Sequence, residues 1–351
     1  MWVKRTKRKQ EKEDEISRIW ILIVLTLVIV FPLFTGKYLT YMATLSGIAI
    51  IVAVGLDILI GLTGQISIGH AAFLAVGAYS SAILTSKAGI PFPLALILSG
   101  IISTLVSMII AIPCMRLKQL YLAIATMGFA FIIIEVILYW RSLTNGANAM
   151  LAPKASIGPL VFDSDTKIYY LVFTVAFILV YFAYNIFVSR TGRAMISLRD
   201  SEEAAESVGI NLAKYKLMAF GISAFYTGIA GSLFAHTVFV ISPENFTILL
   251  SIQYLVMVVV GGIGFIWGAV FGAIFITWLP ELILYFTFVL PKNFLANQDT
   301  QLLVYGLIMV SFMIFEPSGL YGRWLRIKAY WKIFPMSPKK LKGEKTWRRW
   351  R

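Results

Sequence analysis

The sequence predicts an all-α polytopic membrane protein of about ten transmembrane helices, and three observations carry that expectation. Hydrophobic residues make up 59% of the 351 and charged residues only 14%, whereas soluble domains average about 25% charged. Apolar runs long enough to cross roughly 30 Å of hydrocarbon as helices recur from end to end. The basic residues, finally, fall on alternate sides of those runs. Lipid offers the backbone no hydrogen-bond partners, so spanning segments must be helices or a closed barrel, and the short alternating strands of a barrel are absent from this sequence.

The predicted spans cover residues 19–36, 39–61, 66–86, 92–113, 120–140, 168–189, 217–240, 249–263, 265–289 and 301–317. The first lacks a clean small-residue cleavage site and is followed by further spans, so it reads as a retained helix rather than a removed signal. Ten spans place both termini on one side. That side then holds 25 of the 31 Lys and Arg: those of the tail 1–18, Arg116, Lys118, the 190–216 loop and the tail 323–351. The other side holds Lys37, Lys87, Arg141, Lys154, Lys167 and Lys292. Basic residues mark the cytoplasmic face, so both termini are expected in the cytoplasm. The tails carry almost all of the net charge of +14. Beside a membrane this charge suits anionic headgroups, and nucleic acid is not an expected partner.

Two connecting segments differ in kind. Residues 141–167 form a polar external loop around the spans. Residues 190–216 form a 27-residue internal loop, longer than a simple connector needs. Within it, residues 200–208 read as one short helix: Ser201 is an N-cap candidate, Glu202 and Glu203 suit the positive end of the helix dipole, and Gly209 stands where a helix stop belongs. Such a protruding helix suits docking into a groove on a partner. The bland alternative is a solvated loop.

Within the spans, the run Gly61 to Tyr79 is interrupted by Thr63, Gly64, Gln65, Ser67, Gly69 and His70. Polar groups at membrane depth must face protein or water. Thr63, Gln65, Ser67 and His70 are therefore candidates for a translocation pathway, with close helix packing as the competing reading. Gly264, Gly268 and Gly272 are spaced four apart and are expected on one helix face, where small residues bring helices together. Trp267 occupies the third-glycine position of a GxGxxG read from Gly262, which argues against a dinucleotide loop. Asp57 and Glu135 are intramembrane carboxylates, open to a proton relay, to pairing or to snorkelling at a helix end. Glu281 and Glu316 sit near span ends. Similar clusters of small residues before 141 and after 216 leave an internal repeat open.

Cys114 is the lone cysteine, and His70 and His236 are the only histidines. An intrachain disulfide is excluded, and a transition-metal centre has too few ligands. No hydrolase, metalloprotease or phosphate-loop motif is present. The chain is expected to be no enzyme, to bind no cofactor and to leave ATP to other subunits.

Several blocks, in order, carry a resemblance. GLDILIGLTGQISIGHAAFLAVGAYSSAIL, TGRAMISLRDSEEAAESVGINLAKYKLMAFGISAFYTGIAGSLFA, VVVGGIGFIWGAVFGAIF and FEPSGLYG resemble the permeases of branched-chain amino acid ABC transporters. The likeness covers about residues 39 to 322 and is nearer the longer of the two paired permeases. It implies a fold similar to large-type ABC importers, a second permease subunit, two cytoplasmic ATP-binding subunits and an extracytoplasmic solute-binding protein. It places Glu202, Glu203, Ala204, Ala205, Glu206 and Gly209 on the helix that contacts the ATPase. Asp57 where Asn is common, TNGANAM in the external stretch, and bulky Phe265 and Trp267 depart from the pattern. Related permeases carry urea or short amides, so the implied solute is a branched-chain amino acid or a similar small polar molecule. An ion-coupled transporter working alone is the rival.

Overall fold

The computed structural model describes residues 26, 28–114, 119–286, 298–315 and 319–333. The tail 1–18, Arg116, Lys118, Lys292, Glu316 and the chain beyond 333 lie outside the described residues. The described part of helix α1 covers residues 28–34. It is followed by α2 (Lys37–Thr63), α3 (His70–Ser86), α4 (Phe92–Cys114), α5 (Gln119–Tyr139), α6 (Arg141–Thr144), α7 (Asp165–Val188), α8 (Arg190–Asp200), α9 (Glu202–Ser207), α10 (Leu212–Val238), α11 (Ile248–Gly261), α12 (Ile266–Phe286), α13 (Gln298–Phe315) and α14 (Gly319–Ile333). Among the described residues, seven helices are long and apolar enough to cross a membrane by length and composition. Short α3 owes its 17 residues to a late start. The described residues form an all-α fold of membrane-length helices, as the sequence predicts.

Helix α2 is the central post. Every residue from Ser46 to Thr63 is buried, and a helix that is apolar all round is one that packs on all sides. α7, α10, α11 and α12 surround it. α10 wedges between α2, α3 and α4, and small residues allow the approach: a Cβ on Gly228 would meet Ser103 Oγ at 2.5 Å. The outer faces of α4 and α7 expose Leu105, Phe177 and Phe182, a surface suited to lipid rather than water.

Three of the differences from the sequence expectation bear on the site. Helix α3 begins at His70 instead of 66, because Gly64 ends α2 in the left-handed region (φ 71°) and residues 64–69 run without helix. The 190–216 loop holds two helices, α8 and α9, instead of one. Ser189 caps α8, accepting from Gly192 N, and Ser201 breaks the run and caps α9, accepting from Ala204 N. α10 starts at Leu212, five residues early, because Asn211 accepts from Lys214 N and so caps it.

The 141–167 loop is folded rather than merely polar. β1 (Met150–Leu151) pairs antiparallel with β4 (Val240–Ile241), and β2 (Ser156–Ile157) with β3 (Leu160–Val161). Lys87 Nζ donates to the carbonyls of Ser142 and Leu143 at 2.7 and 2.9 Å. His236 Nδ1 donates to Pro153 O at 2.6 Å, and Ser81 Oγ lies 3.1 Å from its Nε2. Lys167 holds the exposed Asp163 at 2.7 Å, which keeps that carboxyl below its ordinary pKa through the hydrogen bond.

Candidate functional site

The α8–α9 pair stands at the end of the bundle where α2 finishes. α9 turns Ala205 inward, where it is buried, and leaves Glu202, Glu203, Ala204 and Glu206 exposed. Residues four apart share a helix face, so Glu202 and Glu206 lie together with Glu203 beside them. Gly209 adopts φ 83°, a left-handed conformation that glycine takes without steric cost. Its amide donates to Glu206 O at 2.9 Å, and Ile210 N donates to Ala205 O at 3.0 Å, which closes the helix end.

Two polar contacts between residues far apart in sequence tie this pair to the spans, and composition gave no hint of either. Arg199, at the end of α8, donates through Nη1 to Gly61 O of α2 at 2.5 Å. Its guanidinium also lies 3.4 Å from Asp200 Oδ1. Gly61 in turn sits against Gly264, whose amide donates to Asp57 Oδ1 at 2.7 Å. The end of α8, the end of α2 and the turn before α12 thus meet at one point. The second contact is Lys216 of α10, nearly buried, 2.7 Å from the Glu202 carboxylate. Glu202 is therefore half committed to its own chain. No local sequence signal marks Arg199, because its partner Gly61 is 138 residues away along the chain.

The pathway candidates Thr63, Gln65, Ser67 and His70 are all buried within this chain. Thr63 Oγ1 donates to Leu59 O at 2.7 Å and reaches Gln65 Oε1 at 3.2 Å. Ser67 Oγ accepts from Gly69 N at 3.3 Å. His70 Nε2 lies 2.8 Å from Ser223 Oγ of α10, while its Nδ1 has no hydrogen-bond partner among the described residues. Neighbouring helices satisfy the backbone freed by the break: Ile68 N donates to Thr126 Oγ1 of α5 at 3.0 Å, and Ala71 N to Ser251 Oγ of α11 at 2.9 Å. An unsatisfied amide at membrane depth would cost several kcal/mol, which explains the otherwise puzzling serine and threonine on those helices.

The glycine triplet is split. Gly268 and Gly272 lie on α12, but Gly264 does not share their helix face. It sits in the turn ahead of α12 with φ 82°. Its place in the α11–α12 contact is taken by Gly261, which meets the backbone of Gly268 and Gly272. A Cβ on Gly268 would lie 2.8 Å from the carbonyl oxygens of both Gly261 and Gly262.

The profile of the family described as "Branched-chain amino acid transport system / permease component" matches residues 38–313. The high-affinity branched-chain amino acid transport system permease protein LivM of Escherichia coli K12 is 32% identical over 328 residues, covering 87% of this chain and 75% of that protein. LivH of the same strain, also named a permease protein of that system, is 24% identical over 80% of this chain and 93% of its own length. PsaBC from Streptococcus pneumoniae in complex with Fab aligns with 87% of this chain and 99% of its own at 15% identity and a TM-score of 0.44. The match runs from the start of α2 to the last turn of α13, taking in the α8–α9 pair and its anchor on Gly61. The chain belongs to the family of permease components of branched-chain amino acid transport systems.

Proposed function

We propose that this chain imports branched-chain amino acids as one of two permeases in an ATP-driven transporter. The second permease is a homologous subunit, ATP is bound and hydrolysed by two cytoplasmic subunits, and a solute-binding protein delivers cargo from outside. The observation that carries the reading is the pair α8–α9: an exposed acidic helix end, held by Arg199 against the end of the buried α2. A docked ATP-binding subunit pushing on α9 would move α2, the 64–69 segment that follows it and, through Thr126, helix α5. Thr63, Gln65, Ser67 and His70 contribute by holding that broken segment in place, and solute reaches them only if it rearranges.

Both termini are cytoplasmic in this reading. Reporter fusions at residue 150 and at the C-terminus should report opposite sides of the membrane. Finding them on the same side would refute the orientation. The function itself is tested by ATP-dependent uptake in proteoliposomes containing all the subunits, with a panel of amino acids, urea and short amides. Uptake of leucine, isoleucine and valine well above the rest is the expected result. Selective uptake of urea, or uptake without the ATP-binding subunits, would contradict it.

A further inference from the structure

Helix α5 carries two residues that weaken it and that nothing among the described residues compensates. Gly128 lies in the helix interior, where glycine is disfavoured, yet a Cβ there would meet nothing within 4 Å. The glycines of α2, α3, α10 and the α11–α12 contact, by contrast, all touch a neighbouring helix closely. Glu135 is exposed one turn before the end of the helix and has no hydrogen-bond or ion-pair partner among the described residues. A carboxylate in that position faces the negative end of the helix dipole. The exposed Tyr139 and Trp140 mark the membrane interface, where aromatic side chains gather. Side chains tilt toward the N-terminus of their helix, so Glu135 is turned from that interface toward the membrane interior. A bare carboxylate is costly in lipid at such depth, and intramembrane carboxylates almost always face protein or a water-filled cavity.

Gly128 and Glu135 are seven residues apart, two turns along one face, together with the exposed Ile124, Phe131 and Ile132. The opposite face of α5 carries Thr126, which holds the 64–69 segment. We propose that the exposed face of α5 lines a water-filled passage between this chain and the second permease, and that Glu135 there binds the ammonium group of an α-amino acid in transit. The aliphatic side chain of that solute passes over Phe131 and Ile132, in the space left open by Gly128. This deepens the function proposed above and rests on it: it selects a zwitterion with an apolar side chain over urea, which has no ammonium.

The test uses the complete importer in proteoliposomes with Cys114→Ser as background. The Glu135→Cys thiol should react with a cationic, membrane-impermeant methanethiosulfonate, and leucine should slow that reaction. A thiol placed by Phe177→Cys on the lipid-facing side of α7 should not react. Glu135→Gln should lower leucine uptake at least about tenfold with stimulated ATP hydrolysis within twofold of wild type, and Glu135→Asp should restore part of the uptake. No reaction at the Glu135→Cys thiol, or unchanged uptake by Glu135→Gln, overturns the assignment. A wild-type importer that takes up no amino acid overturns the function proposed above instead, and the thiol reaction still decides whether this face meets water.

Discussion

Leucine at Gly272 is expected to abolish assembly of the folded chain. The reason is backbone on backbone: a Cβ at Gly272 would collide with Met257 O and lie 2.9 Å from the Gly261 backbone. No side chain is available to swing aside. Overpacking a core costs about 1–3 kcal/mol when side chains can adjust, and here two helices would have to separate, so the upper end or beyond applies. Gly268→Leu meets carbonyls at 2.8 Å and should be milder. Folded yield and thermal stability in detergent check both. Wild-type yield and melting temperature for Gly272→Leu would show that the α11–α12 contact is looser than the geometry requires.

The same residue illustrates what a sequence discloses about such a protein. Gly268 and Gly272 were legible as a packing pair because four-residue spacing puts small residues on one helix face. Gly264 shared the spacing but not the role, since Gly262 (φ 118°) and Gly264 (φ 82°) turn the chain before α12 begins. Spacing arguments hold only inside a helix, and hydropathy does not reveal where one starts when glycines flank it. The spans were legible for a simpler reason: each must satisfy its backbone internally. The acidic α9 and the stop at Gly209 could be read from local capping chemistry, which depends on neighbours in sequence. Arg199 on Gly61, Lys216 on Glu202, and Thr126 and Ser251 on the broken segment join residues far apart in sequence, and no local signal encodes them.

The Glu202–Lys216 pair also alters what charge reversal at the acidic helix should do. Lys216 is nearly buried, so Glu202→Lys leaves a cation without its partner and places another beside it. Removing one partner of a buried pair is strongly destabilising, here less so because Glu202 itself is half exposed. A defect from Glu202→Lys alone therefore conflates local collapse with lost docking, and Glu202→Lys combined with Lys216→Glu should recover most of the fold. Glu203 and Glu206 are exposed and have no such commitment. Glu203→Lys with Glu206→Lys should leave insertion and folding intact and remove only what a partner sees. Couplings between charges across one well-studied interface run from about 1.5 to 7 kcal/mol. A wet rim such as this belongs at the low end, and two lost contacts at about 1.5 kcal/mol each would weaken docking by roughly a hundredfold.

The most direct measurement is therefore made on the purified complex carrying Glu203→Lys and Glu206→Lys, with co-purification of the ATP-binding subunits and solute-stimulated ATP hydrolysis recorded together. If α8 and α9 are the site through which ATP hydrolysis drives this permease, folded chain is recovered at wild-type yield while subunit recovery and stimulated turnover both fall to near background. Wild-type recovery and turnover would mean that the acidic face of α9 meets no partner, and the coupling role assigned to this helix pair would be wrong.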